Sequence, residues 1–379
     1  MKVLVSFNDS TSLKIVDLEK GTDTSNPDAV QPVLTPFILS DEPSRKMIYD
    51  SVNKNAIVYR KSKLEIYNYN SNDKETPLTL INKIDISVEL FTVQIFDSKI
   101  YTITSDGKLT IFNSDLTDPI EFNLPLGPKE SISAFQIYNS TIIAYGGPQT
   151  DLRVIQLPTK KEGKVIVKFK AKNLPNDRLD LSPKIHITQI HFINETELYT
   201  LTHFGQLRYY NTAEGRKPRT DVKISSGSIV KSEFLNGSDL IVADGTGETQ
   251  LINPKGGSGK LLGKFKDSNG VMSTQSVIIS RDNFALMGGS DRYIRIYNER
   301  EQWGKVYVSG KVSGIAILDA PEISQKKKQQ EKGKGKFKIT DKASDEENNV
   351  PVEEEDSEDE MWTKLEKAPV ERRKRRKLF

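Results

Sequence analysis

Apolar and polar residues alternate in many short runs along the first 319 residues of the chain. The clearest run is GGSDRYIRIYN, residues 288–298, in which a glycine-rich segment precedes apolar side chains spaced about two apart. Glycine, serine and aspartate favour tight turns, and the alternation after them is typical of a half-buried β-strand. This stretch therefore predicts the second half of a β-hairpin and supplies a template for the rest of the chain.

Seven segments match the template, and their starts are 51, 45, 43, 55, 42 and 45 residues apart. The segments are SLKIVDL (12–18), KLEIYNY (63–69), KLTIFNS (108–114), DLRVIQL (151–157), QLRYYNT (206–212), ETQLINP (248–254) and YIRIYNE (293–299). A period of ~40–45 residues with four strands per unit is typical of WD repeats. The two longest spacings predict loop insertions in the first and fourth intervals.

Most copies of the template follow two other apolar runs and precede a third, for example LFTVQIF (90–96), KIYTIT (99–104) and IEFNL (120–124) around the copy at 108. Four such strands form one propeller blade, labelled a to d from the central channel to the rim. KVSGIAIL (311–318) lacks a following blade, and MKVLVSF (1–7) lacks a preceding strand, so together they predict closure of the ring. The expected fold is all-β: a seven-bladed WD40-type β-propeller at 1–319. Separate β-sandwiches are the alternative, and the fixed period disfavours them.

The β-pattern stops after residue 320, where charge segregates into blocks. Residues 326–338 are basic, residues 341–360 carry eleven Asp or Glu against one Lys, and residues 371–379 are basic again. Such blocks have too few apolar residues to fold alone, so 320–379 is predicted to be a disordered charged tail. Met361, Trp362 and Leu365 form a small apolar island that either docks on a partner or has no role.

The tail also carries two candidate signals. A cluster of six basic residues predicts nuclear localisation: Arg372, Arg373, Lys374, Arg375, Arg376 and Lys377. Ser344 and Ser357 precede acidic residues, which suits an acidophilic kinase. The alternative is that the basic cluster is a solvated run of charged residues without such a role.

The sequence has few residue patterns that are typical of a catalytic, metal or cofactor site. It has no cysteine and three histidines without metal-pair spacing, so no metal site or cofactor is expected. His191 on its strand is expected to be a packed histidine, and Asp106, Asp244 and Asp291 to be turn formers. GGSGKL (256–261) lacks the spacing of a phosphate loop and is predicted to be a c–d hairpin loop. We expect a non-enzyme without a membrane span; a propeller hydrolase would require paired carboxylates in the central channel.

Three segments resemble a known family. In KFKAKNLPNDRLDLSPKIHITQIHFI (168–193), a block of the form A-K-N-x-x-x-D-x-L-D-L is similar to one in WD-repeat biogenesis factors of the large ribosomal subunit, the family of Nop-seven-associated protein one. QLRYYNTAEGRKPRTDV (206–222) resembles that family's R-x-Y and basic-proline turn, and GGPQTDLRVIQL (146–157) its Gly-Gly repeat end. The basic tail is also similar.

This resemblance implies a non-enzymatic scaffold in biogenesis of the large (60S) ribosomal subunit, acting on nucleolar pre-ribosomal particles during rRNA processing. It implies as partners the pre-60S particle, its assembly proteins and a releasing AAA-type ATPase, with nuclear and nucleolar localisation. We expect a monomer. The alternative function is direct RNA binding through the basic tail, because the balanced charge of the propeller predicts no broad basic field.

The segment 170–186 is longer and more charged than a link between blades requires, and binding residues favour such loops. Together with the second block it gives the candidate partner-binding residues: Lys170, Lys172, Asn173, Asp177, Arg178, Asp180, Arg208, Tyr210, Arg216 and Lys217. The alternative is that Asn173, Asp177 and Asp180 only cap turns and fix the loop. The turn at 212–217 is expected on the opposite face of the disc, where it would serve a different partner.

Overall fold

The structure is a computed structural model that describes residues 1–38, 40–73, 75–158, 163–176, 178–268, 273 and 276–319. Asp177 lies outside the described residues. So does the whole segment 320–379, with the six basic residues of the predicted localisation signal, Ser344, Ser357 and the apolar island at 361–365. The predictions made for these positions therefore stay predictions.

The described part of the chain is built from short β-strands. The first eight are β1 (Lys2–Phe7), β2 (Ser12–Asp17), β3 (Thr22–Asp23), β4 (Val33–Ile38), β5 (Ser44–Asp50), β6 (Asn55–Arg60), β7 (Lys63–Tyr69) and β8 (Leu78–Asp85). The next eight are β9 (Leu90–Phe96), β10 (Lys99–Thr104), β11 (Lys108–Phe112), β12 (Ile120–Asn123), β13 (Ala134–Ile137), β14 (Ile142–Gly147), β15 (Thr150–Gln156) and β16 (Ile166–Lys170).

The remaining strands complete the ring. They are β17 (Ile187–Phe192), β18 (Glu197–Thr202), β19 (Gln206–Asn211), β20 (Thr220–Lys223), β21 (Ile229–Leu235), β22 (Asp239–Asp244), β23 (Thr249–Asn253), β24 (Lys260–Lys264), β25 (Val277–Arg281), β26 (Phe284–Gly288), β27 (Tyr293–Asn298), β28 (Glu301–Tyr307) and β29 (Val312–Asp319). A 3₁₀ turn at Lys255–Gly257 lies between β23 and β24. Nowhere in the described ranges is there a helix long and apolar enough to cross a membrane.

The strands form seven sheets, antiparallel except for the added strand β3, and these sheets are the blades of a propeller. Blades 1 to 5 are β5–β8, β9–β12, β13–β16, β17–β20 and β21–β24, and blade 6 is β25–β28 with β3 added at its edge. Blade 7 has the order β29-β1-β2-β4, in which Leu4 pairs with Ala316. The predicted closure by strands from both ends of the folded part is confirmed, as is the seven-bladed fold.

Burial follows the position of each strand within its blade. The b strands, such as β14 and β22, are buried along almost their whole length, whereas the d strands, such as β4 and β24, are mostly exposed. The apolar faces of adjacent blades pack together; one cluster, for example, joins Leu152 of blade 3 to Leu198 of blade 4. Each blade thus buries its two faces against its neighbours, which is why the b strands are buried on both sides.

The template strand β27 shows how the missing tryptophan is replaced. Tyr297, at the position where a WD repeat usually has Trp, is fully buried, and its hydroxyl donates a 2.6 Å hydrogen bond to the carbonyl of Lys266. A buried tyrosine needs such a partner for its polar end. The aromatic ring therefore fills the space between blades, and the hydroxyl fixes the strand to the preceding blade.

Two details of blade 6 are set by features outside the repeated pattern. The d strand β28 follows β27 directly, because Asn298 pairs with Glu301 across a tight turn in which Glu299 has φ 54°. The insertion in the first interval contains β3, which pairs in parallel with β28, Thr22 opposite Gly304. This added strand covers the edge of blade 6, which an open sheet would expose.

Candidate functional site

The insertion of the fourth interval forms a loop, residues 171–186, between the outer strand β16 of blade 3 and the inner strand β17 of blade 4. We name it the rim loop. Its first residue, Ala171, is buried, and the Ala171 N–H donates a 2.8 Å bond to the carbonyl of Leu152. At its other end, the N–H of Gln149 donates a 3.1 Å bond to the carbonyl of Ile185, and His186 forms a β-bridge with Pro148. The rim loop is thus held at both ends by blade 3.

Asparagine side chains hold the rim loop together internally. The Asn173 amide donates a 2.7 Å bond to the carbonyl of Pro183, across the base of the loop. The Asn176 amide donates a 2.7 Å bond to the Asp180 carboxylate, and the Ser182 hydroxyl donates to the Asn176 oxygen at 2.9 Å. Asn173 and Asp180 therefore have the loop-fixing role that was the alternative to direct contact with a partner. Asn176, which sequence reasoning missed, belongs with them, and asparagine between charged residues was the available signal.

The second block lies beside the first. The Arg216 side chain donates from Nε to the carbonyl of Lys170 at 2.7 Å, and the Lys172 N–H donates to the carbonyl of Arg216 at 2.8 Å. The expectation that the 212–217 turn serves the opposite face is wrong. Because neighbouring strands are rotated by roughly 20–25°, the d strand is turned by about three times that angle relative to the a strand. The end of β16 therefore meets the c–d turn of blade 4 at the rim.

Two predicted contact residues are corrected by their burial. Arg208 and Tyr210 are each 2% exposed, so a partner cannot reach them. The Arg208 guanidinium forms an ion pair with Asp221 at 3.4 Å. The Tyr210 ring packs edge-on against Phe169 with centroids 6.2 Å apart, and burial raises the pKa of its hydroxyl to about 12. Arg208 thus pairs within blade 4, and Tyr210 packs between blades 3 and 4.

A repeated position explains the role of Arg208. Arg153 and Arg295 occupy the same place in their c strands and also pair with carboxylates, at 2.6 Å to Glu130 and at 2.5 Å to Asp291. In blade 1 the signs are reversed, because Glu65 takes this position and accepts a 2.5 Å bond from Arg60. A buried charge that recurs at one register position is structural, and this recurrence in the template was the signal that could have shown it.

The surface around the rim loop is basic. Eight exposed side chains carry positive charge: Lys164, Lys168, Lys170, Lys172, Arg178, Lys184, Arg216 and Lys217. Among the described residues of 163–186 the acidic side chain is Asp180, and Glu214 of the neighbouring turn pairs with Arg219. The balanced charge of the propeller thus conceals a local basic surface.

Apolar side chains are also exposed on the rim loop. Leu179 is 79% exposed and Leu181 is 61% exposed. Large apolar side chains at the surface mark protein-interaction sites when they lie together. The rim loop therefore combines positive charge with apolar surface, which suits a protein or ribonucleoprotein partner.

The histidines and turn carboxylates have structural partners. His191 Nε2 lies 2.6 Å from the Ser232 hydroxyl, and burial lowers the pKa of the imidazole to about 4. His186 and His203 stack with centroids 4.7 Å apart. Asp244 accepts a 2.9 Å bond from the N–H of Thr246, as a turn former does. Within the described residues, no group of three or more His, Cys, Asp or Glu could hold a metal ion.

The phosphate-loop and hydrolase alternatives do not fit the described residues. The GGSG part of GGSGKL lies in the connection between β23 and β24, as predicted for a c–d loop, and Lys260 and Leu261 begin the strand β24, so a strand and not a helix follows. Among the described residues that line the central channel, Glu233 and Glu89 are the two carboxylates, and Glu89 is paired with Arg45. This arrangement lacks the paired carboxylates that would support a hydrolase.

Comparison with known proteins gives relatives of one name and solved structures of one fold. No protein-family model matches the chain. The ribosome biogenesis protein NSA1 of Meyerozyma guilliermondii is 32% identical over 235 residues, which cover 53% of this chain and 58% of that protein. The protein of the same name in Schizosaccharomyces pombe is 26% identical over 369 residues, covering 87% of this chain and 92% of its own length. That of Eremothecium gossypii is 22% identical over all of both chains.

Solved structures give the fold. The designed protein Ika8 has a TM-score of 0.53 at 11% identity, covering 74% of this chain and 92% of its own. The C-terminal WD40 domain of Sif2 has a TM-score of 0.51 at 14% identity, and the match covers 80% of this chain and 82% of the Sif2 chain. The chain is therefore a WD40-type β-propeller and, as its sequence predicted, is similar to the fungal proteins named ribosome biogenesis protein NSA1.

Proposed function

We propose that this chain is a ribosome biogenesis factor, working as a non-enzymatic scaffold on nucleolar precursors of the large subunit during rRNA processing. The names of its fungal relatives support the first part of this proposal. One structural observation carries the second part. The blocks at 146–157 and 206–222 both contact the exposed basic rim loop, which belongs to the block at 168–193.

The rim loop is suited to bind because it is already ordered by its own hydrogen bonds. A loop held by Asn173, Asn176 and Arg216 loses little conformational freedom when a partner docks. The exposed Lys172 and Arg178 add long-range attraction to an acidic or ribonucleoprotein surface. We therefore assign particle binding to Lys170, Lys172, Arg178, Arg216 and Lys217.

Charge reversal tests this site. In a tagged full-length chain, Lys172→Glu with Arg178→Glu should weaken co-sedimentation with precursor particles of the large subunit. The matched control is Lys20→Glu with Lys129→Glu, because both lysines are exposed and lie outside the rim loop. If the folded rim-loop variant sediments with particles as the control does, the site assignment is wrong.

We assign nuclear and nucleolar localisation to the basic cluster 372–377 of the tail. A fluorescent fusion ending at Leu318 should lose nuclear accumulation, and substitution of the six basic residues by alanine in the full chain should do the same. If both variants are as concentrated in the nucleolus as the unaltered chain, the localisation signal lies elsewhere in the chain.

The resemblance further implies assembly proteins of the pre-60S particle as partners and an AAA-type ATPase that releases the factor. We propose that the chain joins the particle as a monomer. Blocking ATP hydrolysis in that ATPase should leave the chain on particles that otherwise lose it, measured by its ratio to large-subunit proteins. A ratio that does not change would contradict release by this route.

Direct RNA binding is a second candidate, which the eight exposed basic side chains favour. The sequence suggested RNA contact by the tail, whereas this surface offers a second place on the propeller. Phosphate contacts would make binding fall steeply with salt. Crosslinked peptides from 163–184 would support RNA binding by the propeller, and crosslinks confined to residues after 320 would restrict it to the tail.

A further inference from the structure

The central channel of the propeller contains a cavity of about 690 Å³, lined by residues of all seven inner strands. Cavities of ~300–1,000 Å³ are the size in which small ligands bind. The described lining is mixed, with hydroxyl, amide and ammonium groups beside apolar side chains. The proposed scaffold function uses the rim and gives this cavity no role.

Five inner strands have the same irregularity at the same level of the channel. In β5, β9, β17, β21 and β29 the pairing with the b strand skips one residue, and the next residue pairs with the penultimate residue of that b strand. The residues placed there are Lys46, Thr92, Gln189, Lys231 and Gly314. Such bulges re-aim side chains and are frequent beside functional sites. The four of them that have side chains line the cavity.

The two lysines are enclosed without a counter-charge. Lys46 donates a hydrogen bond from Nζ to the Thr92 hydroxyl, and within the described residues neither lysine forms an ion pair. Burial lowers the pKa of Lys46 to about 7, with the charge of Lys231 as a second cause. Burial also lowers the pKa of Lys231 to about 8. Ammonium groups held in this way favour the arrival of a negative charge.

The other titratable groups of the described lining neutralise the pair only in part. Burial raises the pKa of Glu233 to about 7, so its carboxyl is partly protonated at neutral pH, and His191 is neutral. Arg45 and Glu89 pair with each other at an exposed end of the cavity. The lining residues described on β9, β13, β25 and β29 are uncharged.

We propose that the channel binds a small free oxyanion of the phosphate class between Lys46 and Lys231. The two ammonium groups supply opposite charge, and the Thr92 hydroxyl and Gln189 amide stand at the same height as polar neighbours. Ammonium–oxyanion hydrogen bonds are about twice as strong as neutral ones. The enclosure by inner strands suits a small molecule, because a folded partner cannot enter a cavity of this size.

Titration calorimetry of the full chain with sodium pyrophosphate at pH 7 tests the site, with sodium chloride at matched ionic strength as the blank. Lys46→Met and Lys231→Met should each weaken binding about 10- to 100-fold, the usual effect of losing a charged hydrogen bond. Lys129→Met, which removes an exposed lysine outside the channel, should bind as the unaltered chain does. Methionine matches lysine in length, and Lys→Gln is the second variant if either fails to fold.

A second arm uses sodium sulfate, whose charge is constant from pH 6.5 to pH 9. Its affinity should fall at least tenfold over this range as the lysines lose their protons. The proposal is overturned if pyrophosphate gives no more heat than the blank, if the folded channel variants bind as Lys129→Met does, or if sulfate affinity is independent of pH.

Discussion

Arg216 donates a 2.7 Å hydrogen bond from its guanidinium Nε to the carbonyl oxygen of Lys170, 46 residues earlier in the chain. The N–H of Lys172 returns a 2.8 Å bond to the carbonyl of Arg216. The start of the rim loop is thus held by a residue of the next blade. Its conformation depends on the packing of blades 3 and 4 and not on the loop sequence alone.

Replacing Arg216 by alanine should therefore loosen the rim loop without unfolding the propeller. The bond is exposed, so the free energy of unfolding should fall by no more than about 1.5 kcal/mol. Hydrogen exchange of peptides from 171–186 should become faster. Lys217→Ala is the control, because Lys217 is an exposed neighbour. Equal exchange rates in the two variants would mean that Arg216 does not order the loop.

Arg208 and Arg219 should respond very differently to alanine substitution. Arg208 is buried and pairs with Asp221, so its removal leaves a carboxylate without its partner and should cost about 3 kcal/mol. Arg219 pairs with Glu214 at the surface, so its replacement by alanine should lower the free energy of unfolding by about 0–1 kcal/mol. Urea unfolding of both variants provides the comparison. Similar costs for the two would remove the argument that Arg208 is structural.

The number of blades, the c strands and the closure were predictable because each depends on local pattern. Alternating apolar residues repeated about every 45 positions define where Leu109 or Ile294 must be buried. A closed ring then follows from the unpaired strands at residues 1–7 and 311–318. Blade number, c strands and ring closure therefore do not depend on which particular residues of distant segments are in contact.

The candidate site was less predictable because it depends on twist and burial. Arg208 and Arg216 lie eight residues apart in one block, yet one is buried in blade 4 and the other is exposed at the rim. Whether a charged residue is inside follows from partners such as Asp221, which the template alone does not reveal. The meeting of Lys170 with Arg216 arises from the accumulated rotation of strands across a blade, which has no signature in sequence.

Gly147 provides a test of the close contact beneath the rim loop. A Cβ atom added there would lie 2.1 Å from the carbonyl oxygen of Ser131 and 2.7 Å from the N–H nitrogen of Ser133. Because both atoms belong to the backbone, the strain cannot be relieved by a side-chain rotation. Gly147→Ala should therefore lower the free energy of unfolding by about 1–3 kcal/mol, measured with urea.

The matched control for that substitution is Gly215→Ala. Nothing lies within 4 Å of a Cβ atom built on Gly215, which is exposed in the c–d turn of blade 4. Its effect should be within about 0.5 kcal/mol of zero, as for most surface changes. If Gly147→Ala is as stable as Gly215→Ala, the approach of blade 3 to Ser131 is looser than the structure has it.

His191 should make the propeller less stable as the pH falls. Its folded-state pKa is about 4 because of burial, whereas that of an unfolded histidine is ~6.5. The unfolded chain therefore binds the extra proton first, so stability is complete above pH 6.5 and declines as the pH falls toward 4. The loss should reach about 2 kcal/mol at pH 5.

Comparison with His191→Gln isolates this contribution, because glutamine can still bond to the Ser232 hydroxyl but does not titrate. Glu233 acts in the opposite direction: burial raises its pKa to about 7, so its contribution to stability is present at low pH and is lost as the pH rises. Glu233 is present in both proteins, so its contribution cancels in the difference between their free energies of unfolding. That difference should change by about 2 kcal/mol between pH 7 and pH 5, to the disadvantage of the unaltered chain. A difference independent of pH would mean that His191 is solvated in the channel, because only burial depresses its pKa.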